Sequence, residues 1–126
     1  MAHVFDHIDQ RVRSLAKTKP FYDQLLQQFG FRGRPMDEKT HVYLRIHDHQ
    51  AQEAIALIED PAHANNCTRV AFRAESNEAV DRVGAILARI GALDIEGPVP
   101  CPEYAEKYYA VFFSDPDGNR LEVVYR

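Results

Sequence analysis

The chain is poor in cysteine: Cys67 and Cys101 are its only two among 126 residues. Two thiols make neither a secreted disulfide framework nor a cysteine zinc site, so both are expected to be reduced and partly buried. Basic excess is also missing. Fifteen Lys and Arg stand against nineteen Asp and Glu, a formal net charge of -4, which argues against nucleic-acid binding. Long apolar runs are absent, the longest being Ala54–Ile58 and Tyr108–Phe113. A bilayer span needs about 20 such residues, so no membrane partner is expected. Met1–Gln10 contains no apolar signal region, which leads to the expectation of a cytoplasmic protein. There is no glycine-rich phosphate loop, nucleophile elbow or Cys–His pairing signature.

What is present suits one domain, 1–126, with 45% hydrophobic and 27% charged residues. Val4–Val12 alternates like a strand. Ser14 can cap a helix carrying Phe21, Tyr22, Leu25, Leu26 and Phe29. Gly30 ends that run, and Pro20 predicts a start near Lys19 or Pro20 after an irregular lead-in. Strands are predicted at Phe31–Pro35, His41–His47 and Ala54–Ile58. The pattern then restarts: a strand at Thr68–Ala74, a helix capped by Ser76 and closed by Gly91, and strands at Leu93–Ile95, Tyr108–Phe113 and Leu121–Tyr125. A long loop is expected over Glu96–Lys107, and a tight turn at Asp115–Gly118. Ser14 and Ser76 lie 62 residues apart, Gly30 and Gly91 61 apart. This is an internal duplication of βαβββ units, module one about 1–62 and module two about 66–126. The expected fold is α+β: a curved mixed sheet around a cleft, with helices outside.

Aligning the halves places His7 opposite Arg69 and Ala56 opposite Glu122. Strand phase adds Phe5, Asp9 and Arg11 to His7, Ala71 and Arg73 to Arg69, and Arg120 and Val124 to Glu122. The resulting inner face is polar, with more arginine than acid. His47-Asp48-His49 reads as a solvated hairpin end rather than a metal site. Asp115, Asp117 and Asn119 read as a turn rather than a calcium loop.

Asp6-His7-Ile8 with Pro20-Phe21-Tyr22, Val70-Ala71-Phe72, and Tyr108–Phe113 leading through Asp115-Pro116-Asp117-Gly118-Asn119 to Glu122 resemble the vicinal oxygen chelate superfamily. That superfamily groups glyoxalase I, extradiol dioxygenases and bleomycin resistance proteins. The resemblance implies a homodimer and a small-molecule enzyme (isomerase, lyase or dioxygenase) acting on an oxygen-rich or anionic substrate. Its alternative is metal-free sequestration of a small molecule. It further implies that His7 and Glu122 occupy divalent-metal ligand positions, whereas Ala56 and Arg69 replace the other two. Alanine has no donor atom, and a guanidinium stays protonated and repels a cation. Arg69 is therefore expected to stand in for the metal by pairing with Glu122. The implied catalytic residues are His7, Arg69 and Glu122, with Arg69, Tyr104 and Tyr108 binding substrate.

Overall fold

The computed structural model describes residues 3–126. Serine capping starts both helices. Ser14 Oγ accepts from the backbone N–H of Lys17 at 3.3 Å, and Ser76 Oγ from that of Ala79 at 3.1 Å. The first helix, α1, follows strand β1 (His7–Val12) and spans Leu15–Gln27. It contains Pro20 rather than starting there. A proline at the sixth position withdraws only the donor that would serve Ala16, and buried Thr18 before it and Phe21, Tyr22, Leu25 and Leu26 after it hold the helix in the core. Strands β2 (Arg32–Asp37), β3 (Thr40–His47) and β4 (Gln50–Glu59) follow. Strand β4 starts four residues earlier than expected, because Asp48 and His49 both take positive φ, 50° and 62°, and close a two-residue hairpin. Val4 and Phe5, expected in the first strand, are exposed ahead of it.

The second half repeats the order: β5 (Arg69–Arg73), α2 (Asn77–Ile90), β6 (Leu93–Pro100), β7 (Tyr109–Ser114) and β8 (Arg120–Tyr125). Strand β6 takes in the first part of the expected Glu96–Lys107 loop. Its prolines are accommodated on an edge strand whose register shifts twice, between Leu93 and Glu96 and between Glu96 and Val99. Gly91 closes α2 at φ 100°. Gly84, inside α2, lets Pro98 approach to where a Cβ would lie 2.8 Å from its ring.

The chain forms two compact units, one ending at Ala64 and one spanning Asn65–Arg126. Each has its own four-stranded mixed sheet. The strand order is β1-β4-β3-β2 in the first and β5-β8-β7-β6 in the second, with one parallel pair in each. This is the α+β, twice-βαβββ architecture that the sequence pattern predicts. In each unit one sheet face packs on the helix. Val12, Tyr22, Leu25, Tyr43 and Leu57 are buried in the first; Val80, Leu87, Val111, Phe113, Leu121 and Val123 in the second. Each such side chain contributes about 1.5–3 kcal/mol. No helix among the described residues is long and apolar enough to cross a membrane.

Candidate functional site

Polar contacts to the helices fix which strand face is which. Tyr43 Oη donates to Asp23 of α1 at 2.7 Å, and Tyr109 Oη to Asp81 of α2 at 2.6 Å. The opposite phase of each sheet therefore faces away from its helix. In the first unit His7 pairs with Ala54, Asp9 with Ala56, and Val42 with Ala56. In the second Arg69 pairs with Arg120, Ala71 with Glu122, and Phe112 with Glu122. Offsets of 62 on the first strand and 66 on the fourth carry each parallel pair of one unit onto its counterpart in the other (7 to 69 and 54 to 120; 9 to 71 and 56 to 122).

The second unit gathers a polar group on this open face. Glu122 is 5% exposed, and its Oε2 accepts from the hydroxyl of Tyr108. Tyr108 is flanked by the Tyr104 ring at 5.1 Å and the Arg126 guanidinium at 5.8 Å. Partial burial, the bond to Glu122 and the charge of Glu122 push the phenol up to about 12, against a smaller opposing effect of Arg126. Tyr108 is thus a neutral donor throughout the physiological range. Glu122 Oε1 has no hydrogen-bond partner, yet Thr18 Oγ1 is the only sealed, unpartnered side-chain polar atom among the described residues. Oε1 is therefore accessible.

The expected Arg69–Glu122 pair does not form. Glu122 is held by Tyr108, and Arg69 reaches across β8 to place its guanidinium 5.1 Å from the centre of the Phe112 ring. Beyond this cation–π contact the guanidinium has no hydrogen-bond or ion-pair partner among the described residues. Arg69, Arg73 and Arg120 are all exposed, and none is in an ion pair among the described residues.

His7 and Ala56 lie in the first unit. His7 is exposed, with Nδ1 2.7 Å from Asp6 Oδ1 and Nε2 4.0 Å from Asp9 Oδ1. The hydrogen bond to Asp6, then the charge of Asp9, raise its pKa above the ordinary 6.5. Both carboxylates favour the imidazolium, which has no lone pair for a cation. Ala56 is half-buried and offers no donor. Among the described residues no three His, Cys, Asp or Glu side chains converge in a group that could hold a metal. Of the four expected ligand positions, Ala56 and Arg69 offer no donor to a cation. Of the two thiols, Cys101 is buried and its pKa is raised by that burial, whereas Cys67 is exposed, contrary to expectation, in the connecting segment.

Phe112 and Arg126 are absent from the residues that sequence reasoning singles out. Counting outward from the Asp115–Asn119 turn pairs Ser114 with Arg120 and so sets Phe112 beside Glu122. Strand phase from Glu122 reaches Arg126.

The family model of the Glyoxalase/Bleomycin resistance protein/Dioxygenase superfamily matches residues 4–123. A glyoxalase/bleomycin resistance protein from Albidiferax ferrireducens T118 is 25% identical with a TM-score of 0.76, covering 97% of this chain and 98% of that one. The genomically encoded fosfomycin resistance protein FosX from Listeria monocytogenes is 19% identical, with a TM-score of 0.73 over 100% and 95% of the two chains. A glyoxalase/bleomycin resistance protein/dioxygenase family enzyme from Burkholderia phytofirmans PsJN is 16% identical, with a TM-score of 0.73 over 95% and 96%. No curated protein matches the chain.

Proposed function

The chain belongs to the Glyoxalase/Bleomycin resistance protein/Dioxygenase superfamily, and from that premise we propose that it is a small-molecule enzyme moving a proton on an oxygen-rich, anionic substrate bound to the open face of the second unit. One observation carries this reading: an accessible carboxylate oxygen on a nearly buried Glu122, fixed by Tyr108, beside arginines with no counter-ion. Arg69, with Tyr104 and Tyr108 at the rim, binds and orients the substrate. Oε1 of Glu122 takes a proton from a carbon next to a carbonyl, and the C–H electron pair moves to the carbonyl oxygen. The Arg69 guanidinium stabilises that oxyanion as charge develops. Returning the proton to a neighbouring atom gives an isomerase; expelling a leaving group gives a lyase. No step is assigned to a metal or to His7.

The test is a panel of keto- and hydroxycarboxylates, read first by thermal shift and then by deuterium uptake from D2O in the NMR spectrum. Stabilising ligands should exchange a C–H proton, and Glu122→Gln should abolish exchange while retaining binding. Stabilisation without exchange by any ligand favours sequestration, the reading supported by the paired rings of Tyr104 and Tyr108. Absence of both defeats either reading. Homodimerisation and a cytoplasmic location remain part of this proposal, checked by sedimentation and by cell fractionation.

A further inference from the structure

The open face of the second unit carries more cation than its chemistry requires. Arg69 and Arg120 are direct partners in the parallel β5–β8 ladder, so their side chains leave the sheet side by side. Like charges directly opposite each other destabilise a sheet. Arg73 lies in the same phase further along β5, and Arg126 in the phase of β8. Against these four guanidinium groups the strands of this face hold two carboxylates, and the loop after β6 adds Glu103, whose charge acts on Cys101 together with that of Glu122. Glu122 is engaged by Tyr108. Glu96 sits beyond Phe112 on the edge strand β6, the far side of the sheet from β5. None of the four arginines is ion-paired among the described residues.

We infer that Arg69 and Arg120 together form a seat for a doubly charged oxyanion group, such as a phosphate monoester, a phosphonate or a pair of adjacent carboxylates. The inference rests on the proposed function and narrows its ligand class. Phe112 lies against the Arg69 guanidinium, whose N–H groups have no hydrogen-bond or ion-pair partner among the described residues and are left to a ligand. Arg120 supplies a second fork from the neighbouring strand. Two guanidinium groups facing one ligand match two negative charges better than one, and each bidentate contact is charge-assisted. Arg120 is thereby a specificity-determining residue, separating dianions from monoanions.

The experiment titrates the full chain by calorimetry with methyl phosphate, malonate, dimethyl phosphate and acetate, at pH 8 and low salt. Methyl phosphate and malonate distinguish a tetrahedral head from a dicarboxylate; the other two carry one charge. A dianion should bind about tenfold or more tightly than the monoanion of the same shape. Arg120→Gln should erase that margin and leave monoanion binding on Arg69. Arg73→Gln, whose register partner is Val124, should cost the dianion only about twofold to threefold by weakening the field at distance. Without ligand, Arg120→Gln should melt no lower than the parent, since it relieves like-charge repulsion; this separates lost binding from lost folding. Equal affinity for mono- and dianions, or an unchanged margin in Arg120→Gln, overturns the dianion seat while leaving the functional reading in place. Failure of every anion to bind overturns both.

Discussion

The two units share a backbone plan and differ in where their ionisable chemistry lies. In the first, the part-buried polar network is on the helix side, and the open face carries the exposed group of His7, Asp6 and Asp9 on and before β1. Tyr43 donates to Asp23 Oδ1, Lys19 binds Asp23 Oδ2 at 2.7 Å, and the His41 ring meets Tyr43 edge-on at 5.0 Å. Its open face offers Ala54, Ala56 and Val42 in the positions where the second unit has Arg120, Glu122 and Phe112. The second unit packs its helix side almost wholly with aliphatic and aromatic groups and puts an acid, a phenol and arginines on the open side. One template thus supports two divisions of labour, although Val42, Ala110, Glu122 and Val124 on the faces away from the helices are buried as well.

The largest test of this contrast lies in the two β-hairpin connections. The second unit joins β7 to β8 through Asp115, which is fully buried. Its Oδ1 accepts from the backbone N–H groups of Asp117 and Asn119 at 2.9 Å each, and its Oδ2 from the Asn119 side chain at 2.8 Å. The first unit makes the corresponding turn with exposed Asp48 and His49. Asp115→Ala strands several buried donors and should lower unfolding free energy by about 3 kcal/mol in urea titration. His49→Gly should raise it by about 0.5–1 kcal/mol, because glycine adopts positive φ without a Cβ penalty. If both substitutions prove neutral, the turns do not differ as described.

A second probe sharpens the helix side of the first unit. Thr18 is fully buried and its Oγ1 finds no partner. Thr18→Val keeps the shape and removes the unsatisfied hydroxyl, so stability should rise by about 1 kcal/mol. A loss on that scale, measured by thermal or urea unfolding, would show the hydroxyl to be satisfied.

The smallest effect separates the two faces of the first unit by pH. His41 is held below its ordinary 6.5 by burial and then by the charge of Lys19, against a lesser pull from Asp23. His7, on the open face, is held above it by Asp6 and Asp9. The signs oppose. His41 contributes stability that is present above about pH 6.5 and is lost as pH falls from there through its lower folded value. His7 contributes stability that is present below that pH and is lost as pH rises through its higher folded value. Imidazole resonances followed by NMR should titrate on opposite sides of 6.5, and a shared midpoint would erase the distinction.

Most of the fold was legible because period-two and helical patterns, serine caps and terminal glycines agree with one another. The edges were less so. Pro20 looked like a helix start because a chain reading cannot see that Phe21 and Leu25 are anchored. Pro98 and Pro100 looked like loop because the sequence does not say that β6 lies at a sheet edge, where a missing N–H costs little. The site was half legible. Tyr108, Arg69 and Glu122 stood out as residue types in phase, but which partner Glu122 takes depends on reach across strands. Charge alone favoured Arg69 over the phenol that holds the carboxylate.

Asp115 has one further bearing. By gripping the chain at residues 117 and 119, it prevents the β7–β8 ladder from slipping by one step, a displacement that would send Glu122 toward α2 and deliver Leu121 or Val123 to the opposite face. With alignment locked in this way, point changes at 112, 120 and 122 can alter what the surface recognises without risk of turning the sheet inside out. The tether lets this scaffold acquire a new specificity one side chain at a time.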